Sequence, residues 1–292
     1  MLIIFLFVFP SGCFRFMDSP KPVTIILNPP TVEPIVPEKV PKPVKPIESL
    51  EKTDIVIQKT TITGLSNESH GWGLSVTTNE TSPGIPDSWK EMLQKYNGYY
   101  LGDTKSKKVY LTFDCGYEAG YTNSILDTLI KNNVPAIFFL LGQYVDEKPE
   151  IVKKMIQNGF LIGNHTNNHP SMPKISDKEI SLEINNFETK IKALTDIKTL
   201  YFRPPSGEFS ARTLALTYNL GYKTIFWSLA MKDWVPMPGG ADESYQTVMK
   251  RIHPGAIILL HTVSKDNELA MQSIIDGIRK KGYEFASLDS LD

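Results

Sequence analysis

The chain has 292 residues, 41% of them apolar and 22% charged, the balance of a globular protein able to bury one large or two small cores. Its net charge of −1 excludes bulk attraction to nucleic acid or to an anionic membrane surface, and leaves a neutral or locally recognised substrate. Two cysteines, Cys13 and Cys115, are too few for a disulfide framework.

The first dozen residues, MLIIFLFVFPSG, form an apolar run too short for an ordinary membrane span but suited to the core of an export signal. Cys13 after Ser11-Gly12 resembles a lipoprotein cleavage site, so residues 1–16 read as a signal, a lipid-bearing leader or an uncleaved anchor. Residues 17–48 are dense in proline, which fixes φ and removes backbone donors, and predict an extended spacer between membrane and catalytic domain. Residues 49–104 form a small N-terminal extension. In it TDIVIQKTTIT reads as a strand and Ser88–Tyr96 as a short helix, while HGWGLS and YNGYYLGD are suited to packing on the catalytic domain. No chemistry is read there.

Over residues 105–292 apolar runs rich in β-branched and aromatic residues alternate with amphipathic segments. Strands are predicted at 107–113, 135–141, 160–164, 199–202, 223–228, 256–260 and 283–287. Helices are predicted at 124–133, 149–158, 177–194, 211–220, 243–252 and 269–280, three of them closed by Asn158-Gly159, Leu220-Gly221 and Lys281-Gly282. This alternation predicts an α/β fold, a parallel sheet curled into a distorted or incomplete (β/α) barrel, with its chemistry at the carboxyl ends of the strands.

The informative polar residues stand at those ends: Asp114-Cys115, His165-Thr-Asn-Asn-His169, Arg203-Pro204-Pro205-Ser206-Gly207, Asp233-Trp234 and His261. Two histidines four apart share one face of a helical turn and can hold a metal; the alternative is a structural pair. Thr166 stands where a zinc peptidase needs glutamate, which disfavours that chemistry. Asp114 is the candidate base, against the bland reading of a helix cap. Arg203, held rigidly by the prolines after it, can orient a carboxylate. His261 ends an apolar strand, and Asp233 can orient it and raise its pKa to make a general acid for an amine leaving group. Base, metal, acid and orienting groups together describe amide hydrolysis.

In this order TFDCGYE, HTNNH, RPPSG, KDW and LLH resemble the motifs of polysaccharide deacetylases of the NodB-homology type, carbohydrate esterase family 4. Within that family the longer stretches YLGDTKSKKVYLTFDCGYEAGYT, IGNHTNNHP, YFRPPSGEFS, TIFWSLAMKDW and HPGAIILLHTVSKDN are most similar to the spore-cortex peptidoglycan deacetylases that generate muramic δ-lactam. The resemblance implies hydrolytic removal of acetyl from N-acetylmuramic acid in exported glycan strands, after an amidase has taken off the stem peptides. It implies Asp114 as base, Arg203 orienting it, Asp233 tuning the acid His261, and a divalent metal, zinc by donor type, on His165 and His169. Trp234 and Leu259 would line the acetyl pocket, with Pro205, Ser206 and Gly207 also on the substrate. Cys115 stands where most relatives carry a further metal-binding aspartate; it is either a thiolate ligand or a buried filler. Two alternatives accompany this reading: a deacetylase of N-acetylglucosamine in peptidoglycan or chitin-like glycans, and a carbohydrate-binding protein that has lost catalysis. No nucleic-acid partner is expected, and a membrane tether at the N-terminus is.

Overall fold

The structure, a computed structural model, describes residues 60–291. The signal, spacer and most of the TDIVIQKTTIT strand expected from the sequence lie outside the described residues, and its described end, 60–63, is not a strand. Eleven strands occur among the described residues: β1 (His70–Gly71), β2 (Gly98–Tyr99), β3 (Lys108–Cys115), β4 (Ala136–Leu140), β5 (Leu161–Asn164), β6 (Tyr201–Phe202), β7 (Glu208–Phe209), β8 (Lys223–Ile225), β9 (Leu229–Ala230), β10 (Ile257–His261) and β11 (Glu284–Phe285). Eight α-helices accompany them: α1 (Asp87–Lys95), α2 (Thr122–Lys131), α3 (Gly142–Glu147), α4 (Pro149–Gln157), α5 (Asp177–Thr195), α6 (Ala211–Asn219), α7 (Gly240–Arg251) and α8 (Lys265–Lys280).

The main sheet runs β2-β8-β6-β5-β4-β3-β10-β9, parallel throughout, with β11 pairing the start of β3. Its order contains the reason it curls. Strands β8 and β9 lie near opposite ends of the sheet, yet only Phe226, Trp227 and Ser228 separate them in sequence. The four Cα steps from Ile225 to Leu229 reach about 14 Å at most, so the two ends must approach one another. Ser228 donates its backbone N–H to Ile257 O on β10, completing the crossing. The single strand expected over 223–228 therefore breaks after Ile225, because its second half leaves β6 and joins β10.

Side chains alternate across β3 and separate two apolar layers. Val109, Leu111, Phe113 and Cys115 point outward and pack under α2, α4, α7 and α8. Tyr110 points inward among Ile137, Phe139, Tyr201, Ile225 and Ile257, which fill the barrel. Helix α5 starts where Ser176 and Glu179 cap each other reciprocally, and Gly159, Gly221 and Gly282, all at positive φ, follow helices as their sequence positions predict.

The aromatic residues of the extension bury themselves on the barrel. Trp72 stacks on Phe226 with ring centroids 4.1 Å apart, and Ile85, Leu93 and Tyr96 join Phe209 and Leu214 in one cluster. Strand β1 pairs with β7, immediately after the RPPSG segment. Residues 60–104 thus share one compact unit with the rest of the described chain.

Interior packing leaves no room at Gly163, where an added Cβ would collide with the Phe139 ring. Gly163→Ala is expected to destabilise the protein by about 1–3 kcal/mol. Urea denaturation measures this, and an unchanged midpoint would show that the ring can yield.

Candidate active site

Because the strands are parallel, their carboxyl ends share one rim, and each carries the chain into a functional segment. Asp114 is the penultimate residue of β3 and faces inward. Its Oδ1 accepts a hydrogen bond from Arg203 Nη1 at 2.7 Å. Arg203 follows β6 and is completely buried. It is pinned by donating from Nε to Ile225 O at 3.1 Å and from Nη2 to Phe226 O at 3.3 Å, and its guanidinium lies 4.2 Å over the Phe139 ring. Burial pushes the Asp114 carboxyl up, but the charge and hydrogen bond of Arg203, together with the neighbouring His165 and His261, hold the group below its ordinary range. Asp114 is consequently an oriented carboxylate.

His165 and His169 do not share a helical turn, as their spacing alone predicted. They flank a loop in which Thr166 and His169 both take positive φ, and their rings meet edge to face at 5.0 Å. The loop is fixed from three sides. Thr166 N–H donates to Asn164 Oδ1, and the Thr166 hydroxyl accepts from His169 N–H, each at 2.9 Å. Glu183 on α5 accepts the backbone N–H groups of Asn167 and Asn168 at 3.0 and 2.7 Å and the Asn168 side-chain amide at 2.7 Å.

His165 Nδ1 lies 2.8 Å from Arg203 O, and a carbonyl only accepts, so this nitrogen carries the proton and Nε2 presents a lone pair. Burial lowers the His165 pKa to about 4, so the imidazole is neutral. Its Nε2 faces Asp114 Oδ2 at 3.6 Å, two electron-rich atoms with no proton between them, an arrangement suited to a cation. The donor set is narrow, since no group of three or more His, Cys, Asp or Glu with ligand spacing occurs among the described residues.

Cys115 does not extend that set. One residue beyond Asp114 on the strand, it points to the opposite face, into the outer apolar layer. Its Sγ accepts from the Thr262 hydroxyl at 3.3 Å, and burial raises the thiol pKa far above its ordinary value. The thiolate-ligand alternative is overturned: Cys115 packs the core.

On the other wall, His261 ends β10, and its Nδ1 lies 2.7 Å from Asp233 Oδ1. Asp233 Oδ2 accepts from His261 N–H at 2.8 Å and from Asn267 Nδ2 at 2.5 Å. Asn267 is itself held by the Ser244 hydroxyl, which donates to its Oδ1 at 2.7 Å. Burial opposes protonation of His261, but the hydrogen bond and charge of Asp233 prevail and raise its pKa above the ordinary value.

Asp114, His165, His169 and His261 line one pocket of about 780 Å³, together with Trp72, Ser206, Gly207, Trp227, Trp234 and Leu259 among others. Arg203 and Asp233 lie beneath it as supports. Trp234 is half exposed at the mouth, 5.2 Å from the His261 ring. Of the residues expected on the substrate, Pro205 is buried and does not line the pocket; the chain turns at Ser206 and Gly207, both at positive φ, and these present themselves instead. A Cβ on Gly207 would lie 2.7 Å from Trp72 Cβ, so that turn needs glycine. The reading that the extension carries no chemistry is corrected too, because Trp72 closes one wall, its indole N–H donating to Trp227 O at 2.9 Å. Glu183, Asn164 and Asn267 also escaped sequence reasoning, since each acts through a partner distant in sequence.

Cys115→Ser should cost about 1 kcal/mol through a worse-packed core while leaving zinc affinity, measured by calorimetry, unchanged. A large loss of affinity would restore the thiolate. Asp233→Asn should lower the His261 pKa, read from imidazole proton chemical shifts; an unaltered titration would contradict the coupling.

The comparisons with known proteins agree with this geometry. Residues 101–225 match the family model described as polysaccharide deacetylase. The chain is 47% identical to an uncharacterized protein of Geobacillus stearothermophilus, over 79% of this chain and 88% of that one. It is 40% identical to the peptidoglycan-N-acetylmuramic acid deacetylase PdaA of Bacillus subtilis, over 77% and 86%. The solved PdaA structure, described as a family 4 carbohydrate esterase, superposes with a TM-score of 0.75 over 78% of this chain and 98% of that one. A peptidoglycan-N-acetylglucosamine deacetylase of Bacillus cereus is 33% identical over 70% and 74%. The chain therefore belongs to the polysaccharide deacetylases, the family 4 carbohydrate esterases, and is a hydrolase of carbohydrate amides.

Proposed function

We propose that this enzyme removes acetyl from N-acetylmuramic acid in peptidoglycan strands already stripped of their stem peptides by an amidase, leading to muramic δ-lactam in spore cortex. The observation that carries it is one pocket flanked by an oriented carboxylate, Asp114, and a carboxylate-backed imidazole, His261. Likeness to PdaA supports the muramic substrate.

In this reading Asp114 takes a proton from water as its oxygen bonds to the acetyl carbon. Arg203 keeps that carboxylate aimed and ionised until the proton arrives. His261, protonated with help from Asp233, gives its proton to the sugar nitrogen as the C–N bond breaks. Acetate and a free amine result, and the amine closes on the lactyl carboxyl of the same sugar with loss of water. With a divalent cation, zinc by ligand chemistry, held on His165 and His169, the acetyl carbonyl gains Lewis-acid polarisation. Trp234 and Leu259 would enclose the acetyl methyl, and Ser206 and Gly207 would border the sugar. The apolar run at residues 1–12 supports an extracytoplasmic placement, tethered to the membrane and facing the wall.

Likeness to the Bacillus cereus enzyme favours a second reading, deacetylation of N-acetylglucosamine units by the same machinery. The separating experiment is acetate release by purified protein from amidase-treated peptidoglycan and from N-acetylglucosamine oligomers, with mass spectrometry locating the freed amine. Amine on glucosamine units alone would sink the muramic reading.

Chelation should abolish acetate release, and added zinc should restore it; full turnover in chelator would refute the metal role. Because His261 must be protonated to act and Asp233 raises its pKa, kcat/KM should fall as pH rises through that pKa. Asp233→Asn should move this alkaline limb to lower pH, and an unmoved limb would remove His261 as the acid.

A further inference from the structure

We propose that Arg251, assisted by Lys232, binds a carboxylate carried by the substrate sugar, making this pocket selective for an anionic glycan. The inference rests on the muramic reading and deepens it, since the carboxylate in question is the lactyl group left free when the stem peptide is gone.

The argument begins with the charges that face the pocket. Apart from histidines, its lining contains Asp114, Lys232 and Arg251. Asp114 is already matched by Arg203 beneath it. Neither Lys232 nor Arg251 has a carboxylate within ion-pair distance among the described residues. Two cations are thus presented to a ligand, whereas an N-acetylhexosamine without an acid group offers only hydroxyls and an amide.

Arg251 is moreover held in place. It ends α7, where a basic residue is favoured by the helix dipole, but that preference does not require it to line a pocket. One of its nitrogens, Nη1, donates to Ala230 O at 3.0 Å. Ala230 lies on β9 in register with Leu259 of β10, two residues before His261. The guanidinium therefore hangs from the strand beside the one that delivers the acid. Its other N–H groups have no protein acceptor among the described residues, and a planar fork with free donors suits a carboxylate. On its far side Arg251 borders a small cleft with Leu74 to Thr77, so the extension encloses this cation as Trp72 encloses the pocket.

The test compares acetate release from peptide-free glycan strands whose lactyl carboxyl is either free or converted to its methylamide. Wild-type enzyme should prefer the free acid in kcat/KM by roughly tenfold to a hundredfold, the worth of a hydrogen bond to a charged group, and added salt should erode the preference. Arg251→Gln should bring the ratio close to one, while Arg251→Lys, which keeps the charge but not the planar fork, should retain part of it. Equal rates on the two substrates by wild type would overturn the proposal without any variant, even if Arg251→Gln failed to fold. A preference that survives in Arg251→Gln would overturn it as well, leaving Arg251 a mere prop for Ala230. Release from N-acetylglucosamine oligomers alone would overturn the muramic reading and this inference with it, whereas release from acid and methylamide alike overturns this inference only.

Discussion

A guanidinium sealed inside a barrel of aromatic and branched side chains must find an opposite charge there or destabilise the fold. Arg203 heads the largest fully buried side chains of the described residues, and Asp114 meets its charge at 2.7 Å. Removing one member of such a pair leaves the other uncompensated and costs about 3–5 kcal/mol. The pair therefore ties stability to function through one contact. The same contact, with His165 and His261 beside it, keeps the carboxylate ionised despite its burial.

Other parts of the site depend on that pair geometrically. The backbone oxygen of Arg203 fixes the tautomer of His165, and so decides which nitrogen is turned toward Asp114. Its Nε and Nη2 donate to Ile225 and Phe226, at the point where the chain leaves β8 and crosses to β9. That crossing brings the sheet ends together and carries Trp227 and Trp234 to the pocket and Asp233 beneath it. On the opposite wall the arrangement is looser in kind: His261 is partly open to the pocket, and it relies on a chain of hydrogen bonds through Asp233, Asn267 and Ser244. One wall is set by a buried ion pair, which keeps Asp114 ionised at rest, and the other by a polar relay, which favours the protonated form of His261.

The longer strands and helices that carry the site were legible because long apolar runs alternate with amphipathic ones and end in Gly-containing stops. Short elements were not. Helix α3 is only six residues long, and β9 is two residues whose pairing with β10 is decided by the curl of the sheet. The HTNNH loop shows the same limit. Its spacing reads as a helical turn, yet Asn164, Thr166 and Glu183 satisfy its backbone in a left-handed arrangement that only a folded neighbour can support.

By itself the sequence determined the barrel class, the order of the motifs along it, and the residue types able to act as base, acid and metal donors. Those follow from periodicity and side-chain chemistry, which are local. The tertiary structure alone decided which way each residue faces and what stands behind it. Asp114 and Cys115 are neighbours in the chain, but alternation on β3 sends one to the pocket and the other to the core. Arg251 lies outside every motif in the sequence and Trp72 in a stretch read only as packing, and they reach the pocket because the extension packs on the barrel and β9 closes against β10. Contacts between residues so distant in sequence are set by topology, and a pattern read along the chain does not contain them.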